Sequence, residues 1–222
     1  MNSKIGKALR IIAVISMGLT AAMNLLGGIG TVCAAFLTRK YPPMWPLLDY
    51  QWLYQTLMIV TIVIGILCIW STIALARGGK RAYRNALILL VIGTIVGGIH
   101  MYASLSLRGK AVPANVKLYT NAITLLLFLL IRLPGLRDRV DFSKPTSSSD
   151  RGTTGGLVAI VAGSVVITTE LWVGASHVFQ GSNWVRLLQA PLIAGGTILT
   201  LGGLALLMWA NLGALAPAPQ QR

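Results

Sequence analysis

Residues 53–76 read LYQTLMIVTIVIGILCIWSTIALA, a run without a single charged side chain. About 20 residues of α-helix, each rising 1.5 Å, cross the roughly 30 Å of hydrocarbon in a bilayer. A run of this length and composition therefore predicts a transmembrane helix. Similar apolar segments recur along the rest of the chain, at about residues 9–37, 86–107, 117–135, 155–179 and 187–213.

The composition of the whole chain supports the same fold class. Of its 222 residues, 55% are hydrophobic and 11% are charged, whereas about a quarter of the residues in an ordinary soluble domain are charged. A closed β-barrel, the other structure that crosses a bilayer, requires alternating apolar and polar positions that these segments lack. The sequence therefore predicts an all-α, polytopic membrane protein with six transmembrane helices.

The longest polar stretch is RDRVDFSKPTSSSDRGTT, at residues 137–154. Its content of Ser, Asp and Pro is typical of a flexible linker without a packed core. We therefore expect three parts in the chain. They are a four-helix transmembrane unit at residues 1–136, a polar cytoplasmic linker at residues 137–154, and a C-terminal transmembrane hairpin with a short tail at residues 155–222.

The nineteen Lys and Arg residues outnumber the five acidic residues and give a net charge of +14. Nearly all of these bases flank apolar segments, so we interpret them as topology signals and contacts with lipid head groups, not as a nucleic-acid surface. If the amino terminus is inside, thirteen bases lie on the inner side and six, Lys117 among them, lie in outer loops. We therefore expect a multi-pass protein of the cell membrane with both termini in the cytoplasm.

Motifs of the common catalytic and metal-binding classes are absent from the sequence. It contains no GxxxxGK[ST], HExxH or GxSxG pattern, and its two cysteines, Cys33 and Cys68, form no CxxC motif. Two histidines and five acidic residues also provide few groups for catalysis. We therefore expect no metal site, no disulfide and no catalytic residue, and the sequence does not specify a cofactor.

The candidates for a ligand-binding site are polar residues inside apolar segments: His100, Asn121, Glu170 and His177. An ionisable side chain at this depth is costly unless it is paired, so it is expected to face the interior of the bundle. Counting from the centre of each helix places His100 and Glu170 at similar depth in the outer half of the membrane. We expect these two side chains to interact directly or through water. His177 is expected roughly 10 Å farther out.

Small and polar residues share a helix face with these candidates in two segments: Gly93, Gly97, His100 and Ser104 in the third, and Gly156, Gly163, Glu170 and His177 in the fifth. Such stripes let helices approach closely. Hydrogen bonds that only fix helix packing would explain these residues, and so would a site for a quinone, a lipid or another small ligand. Haem ligation by both histidines is less favoured, because two axial ligands need the same depth.

Little of the chain lies outside the apolar segments. The sequence therefore favours a non-catalytic subunit of a larger membrane complex, with electron transfer or quinone handling as candidate roles. The expected partners are the lipid bilayer and other membrane protein subunits. Two alternatives stay open: a small-molecule or ion transporter or channel, and a membrane enzyme that acts on a lipid or quinone at the outer leaflet through His100, Glu170 and His177.

Overall fold

The structure is a computed structural model and describes residues 4–179 and 181–215. The α-helices in these ranges are α1 (Lys4–Gly30), α2 (Val32–Phe36), α3 (Gln51–Arg77), α4 (Ala82–Arg108), α5 (Ala114–Ile131), α6 (Ser148–Ile167), α7 (Thr169–Val173), α8 (Trp184–Leu187) and α9 (Gln189–Leu215). The connections contain 3₁₀-helices at Thr38–Lys40, Pro42–Tyr50 and Gly174–His177, and a short antiparallel pair of strands, β1 (Val178–Phe179) and β2 (Ser182–Asn183).

Most of the long helices have the length and composition of transmembrane spans. Five stretches qualify alone: Lys4–Phe36, Pro42–Arg77, Ala82–Arg108, Ala114–Ile131 and Gln189–Leu212. A sixth span is obtained if α6 is counted with the helical residues Thr169–His177, to which it is bent by 54°. The prediction of an all-α, polytopic membrane protein is confirmed.

Four of these helices form one bundle. α1 packs against α3 and α5, and α4 also packs against α3 and α5. The centre of the bundle contains fully buried apolar side chains such as Met17, Leu75, Leu90 and Phe128. Large aliphatic side chains also cover the outside of the helices. Such an apolar outer surface suits contact with lipid, where close packing holds helices together more than the hydrophobic effect does.

α6 and α9 form a hairpin whose two helices meet through glycines. A Cβ atom added to Gly156 would lie 2.7 Å from the Gly203 carbonyl oxygen, and one added to Gly196 would lie 2.7 Å from the Gly163 carbonyl oxygen. Both distances are too short for a real Cβ contact, so only glycine permits this backbone approach. The hairpin is attached to the four-helix bundle mainly through the packing of α6 on α1.

The segment between α5 and α6 differs from the expected flexible linker. Val140 and Phe142 are buried in the core of the four-helix bundle, and the Phe142 ring lies 5.5 Å from the Tyr83 ring, centroid to centroid. The Arg10 guanidinium donates hydrogen bonds to the carbonyls of Asp141, at 3.0 Å, and Lys144, at 3.2 Å. The expectation that residues 137–154 lack a packed core is wrong, because two apolar side chains in a polar sequence are enough to anchor the segment.

This segment also depends on the residue that ends α3. Gly78 adopts a left-handed conformation with φ of 84°, and the Lys144 carbonyl passes so close that an added Cβ would overlap it. The amino terminus of α1, the α3–α4 turn and the α5–α6 segment therefore lie together, at what we call the amino-terminal end of the bundle. The other connections meet at the opposite end, where the Tyr41 ring packs edge-on against the Trp184 ring at 5.0 Å.

Candidate functional site

The interior of the four-helix bundle contains a cluster of buried polar side chains. All four helices contribute to it, with Thr20 and Asn24 from α1, Thr61 from α3, His100 and Ser104 from α4, and Lys117, Asn121 and Thr124 from α5. Because lipid offers no hydrogen bonds, these groups face one another instead of the outer surface. The bundle therefore has an apolar outside and a polar interior.

Lys117 is the basic member of this cluster. Its side chain is 2% exposed, and its Nζ atom donates a hydrogen bond to Thr61 Oγ1 at 2.9 Å. Thr61 is ten residues beyond the start of α3 at Gln51, which corresponds to about 15 Å along the helix. The ammonium group is therefore well inside the apolar part of the bundle. The assignment of Lys117 to an outer loop was wrong.

Two of the predicted candidates, His100 and Asn121, lie in the cluster beside Lys117. The Asn121 amide donates hydrogen bonds to the Lys117 carbonyl, at 2.7 Å, and to Asn24 Oδ1, at 3.3 Å. The His100 ring is edge-on to the Tyr54 ring at 5.4 Å, and α4 packs closely on α5 one turn away, where Gly97 meets Leu118. Within the part of the chain that the structure describes, His100 Nδ1 and Asn121 Oδ1 are buried without a hydrogen-bond partner.

Glu170 does not join this cluster. Its carboxylate accepts a hydrogen bond from Arg186 Nε at 2.5 Å and forms an ion pair with it. Among the described residues, no hydrogen bond connects Glu170 to His100, so the expected direct pair is not formed. The physical reason is the bend at Thr168, because it ends the straight helix on which the depth of Glu170 was counted.

His177 lies at the opposite end of the bundle, next to α1. Its Nδ1 atom is 3.1 Å from the Val173 carbonyl oxygen and 3.0 Å from Ser176 Oγ. A carbonyl can only accept, so a hydrogen bond to Val173 requires the proton on Nδ1. In the neutral ring, Nε2 is then an acceptor, and it faces Gly30 of α1. His177 can therefore accept a hydrogen bond from a ligand at this position.

A cavity of about 220 Å³ lies at this end, between α1, the start of α5 and the residues from α7 to α9. Its walls are mainly apolar and include Trp172 and Trp184, with Lys117 and His177 among the few polar residues. A cavity of about 150 Å³ holds a benzene ring, so this cavity has room for one ring or part of an alkyl chain. Apolar walls with a few polar groups are typical of ligand sites.

The structure thus brings His100 and Asn121 together around Lys117, and it places His177 with Lys117 at the cavity. Glu170 is part of an ion pair in the α7–α8 connection. Lys117 was missed because a base at the end of an apolar run resembles a topology signal. A signal was present in the sequence, since Lys117, Asn121 and Thr124 follow the spacing of one helix face.

Metal ligation has no support in the described ranges, 4–179 and 181–215, where no three His, Cys, Asp or Glu side chains come together as a metal site would require. Comparison with known proteins adds no family: no protein-family model, no curated protein and no solved structure matches the chain. A functional proposal therefore depends on the residues themselves.

Proposed function

We propose that the protein is a non-catalytic subunit of a larger membrane assembly, and that its role is to hold an apolar ligand, such as a quinone or another lipid. The observation that supports this role is the cavity between α1, α5 and the α7–α9 region. Its apolar walls suit a hydrocarbon group or a ring. Lys117 supplies a donor for a carbonyl or other acceptor on the polar head of such a ligand, and His177 Nε2 supplies an acceptor for a head that carries a hydroxyl.

The small buried fraction of α9 supports the proposal that a partner subunit packs against this helix. Only 11% of its most apolar stretch is buried, compared with 33–39% in the other four complete spans. Gly195 and Gly202 share a face of α9, and a Cβ atom added to either would meet nothing within 4 Å. Small residues on an open helix face allow a second transmembrane helix to approach closely.

The distribution of bases supports the cell membrane as the location, with both termini in the cytoplasm. Lys and Arg residues are concentrated at the amino-terminal end of the bundle, at positions 4, 7, 10, 77, 80, 81, 84, 132, 137, 139, 144 and 151. Loops at the opposite end contain the bases at positions 39, 40, 108, 110 and 186. The excess of bases therefore persists when the buried Lys117 is no longer counted in an outer loop, and such an excess favours the cytoplasmic side.

A pair of glycine substitutions tests the ligand role. Gly30 lines the cavity and an added Cβ there would lie 3.9 Å from His177 Nε2, an ordinary contact, so the side chain of Gly30→Leu would enter the cavity. Gly98→Leu is the matched control, because it is also a helical glycine and no atom lies within 4 Å of its added Cβ. Each protein is purified in mild detergent, and its bound lipids and quinones are identified by mass spectrometry.

We expect the wild type and Gly98→Leu to retain a ligand that Gly30→Leu has lost. Identical lipid content in all three proteins would contradict the proposed role.

Native mass spectrometry of the same samples tests the assembly. A partner chain is expected with the wild type, and a homogeneous single chain from native membranes would contradict the role as a subunit.

A further inference from the structure

Lys117 is a buried basic side chain that has no acidic partner among the residues that the structure describes. The chain has five acidic residues. Three of them, Asp138, Asp141 and Asp150, lie at the amino-terminal end of the bundle, where they line a polar cavity with several bases. Glu170 is paired with Arg186, and Asp49 is exposed in the loop before α3. All five are therefore placed away from the Lys117 ammonium.

An ammonium group in a dry interior is costly unless an anion or several hydrogen bonds stabilise it. The structure provides Lys117 Nζ with the Thr61 hydroxyl as acceptor. An ammonium has three donors, and the Thr61 hydroxyl accepts from one of them. In the same cluster, His100 Nδ1 and Asn121 Oδ1 are buried without hydrogen-bond partners among the described residues.

The Lys117 side chain connects this interior to the cavity. Its alkyl part passes Gly27 of α1 so closely that an added Cβ there would lie 3.2 Å from Lys117 Cδ. Gly27 and Lys117 both line the cavity. A molecule whose hydrocarbon part fills the apolar space would reach Lys117 Nζ by extending its polar head along this side chain towards Thr61.

We propose that Lys117 is the counter-charge for an acidic amphiphile, a molecule with a hydrocarbon part and a carboxylate or phosphate head. This inference rests on the proposed function and specifies the ligand class of the same cavity. The head accepts hydrogen bonds from Lys117, and His177 lies on the wall of the same cavity. A neutral quinone lacks the negative charge, so the two ligand classes differ in how strongly they depend on Lys117.

Tryptophan quenching can test this inference at the cavity itself. Two tryptophans, Trp172 and Trp184, line the cavity. The other four are each more than half exposed and are replaced by Phe to remove their signal: Trp45, Trp52, Trp70 and Trp209. The protein is placed in nanodiscs of zwitterionic phosphatidylcholine, so that no acidic lipid competes. The probes are dibrominated stearic acid, its methyl ester and the corresponding dibrominated alkyl phosphate.

A hydrogen bond to a charged group is stronger than one between neutral groups, so we expect an acidic probe to bind about tenfold or more tightly than the ester. The preferred head, carboxylate or phosphate, identifies which kind of acidic lipid the site takes. Lys117→Met should remove the preference for an acidic head, so that the acids and the ester bind with similar affinity. Lys110→Met is the matched control, because Lys110 is exposed in the loop before α5, and it should retain the preference.

Lys117→Gln is the second variant if the methionine variant does not fold, since it keeps a polar group and removes the charge. Equal affinity of the acids and the ester in the wild type would overturn the inference, as would a preference that survives the loss of Lys117. If the proposed function itself were wrong, a different set of results would be obtained. In that case none of the three probes would quench Trp172 and Trp184, and Gly30→Leu would have no effect.

Discussion

The contact between α6 and α9 predicts opposite effects on stability when two adjacent glycines, Gly195 and Gly196, are replaced by alanine. At Gly196, an added Cβ would lie 2.7 Å from the Gly163 carbonyl oxygen and 3.0 Å from the Ile167 amide nitrogen. Both neighbours are backbone atoms of α6, so the helices must separate to accept alanine. At Gly195, nothing lies within 4 Å of an added Cβ. Gly195→Ala is therefore the control for Gly196→Ala.

The expected difference in stability between the two alanine variants follows from two contributions to the free energy of unfolding. Replacing a helical glycine with alanine favours the helix by about 1 kcal/mol at either position, so this gain cancels when the variants are compared. Overpacking costs about 1–3 kcal/mol and applies only to Gly196. In proteins of 150–250 residues, 1 kcal/mol shifts the midpoint of thermal unfolding by about 2–4 °C. Gly196→Ala should therefore unfold at least about 2 °C below Gly195→Ala, and up to roughly 12 °C below it.

A thiol within the hairpin can report this difference. Thr200 of α9 lies against Gly163, so Thr200→Cys places a reactive group in the contact after Cys33 and Cys68 have been changed to Ser. Labelling by a thiol-reactive dye is followed during heating in mild detergent. Equal midpoints for the two alanine variants, or a lower midpoint for Gly195→Ala, would refute the close glycine contact.

Three further predictions concern other parts of the molecule. Phe142→Ala should destabilise the protein by about 3 kcal/mol, because a buried aromatic ring is lost, and limited proteolysis should then cut residues 137–147 faster than in the wild type. With cysteine reporters in a Cys-free background, a membrane-impermeant reagent added outside cells should label Ser182→Cys and spare Ser148→Cys; the reverse pattern would invert the proposed orientation. Glu170→Gln should cost less than about 1 kcal/mol, because its partner Arg186 is 71% exposed and such pairs contribute little. A double-mutant cycle with Arg186→Gln measures this coupling, and a value of several kcal/mol would contradict it.

The sequence identified several residues of the candidate site, but it did not predict which of them contact one another. His100 and Asn121 stood out because polar side chains are rare in apolar segments, and both are buried in the bundle. Their neighbour Lys117 was not recognised, because the sequence does not distinguish a base that ends a helix from one that enters it. Glu170 was assigned to the interior on the assumption of a straight helix, and the bend at Thr168 removes that assumption.

The sequence by itself determined that the chain is an all-α membrane protein and where its long helices lie. The physical reason is local: in a bilayer each backbone polar group must be satisfied within its own helix, so the length and composition of an apolar run are sufficient evidence. Tertiary structure alone decided which side chains meet. Phe142, in a polar segment, is buried in the core, and Lys117 of α5 passes Gly27 of α1 and reaches Thr61 of α3. Such contacts depend on the packing of helices distant in sequence, which no single segment encodes.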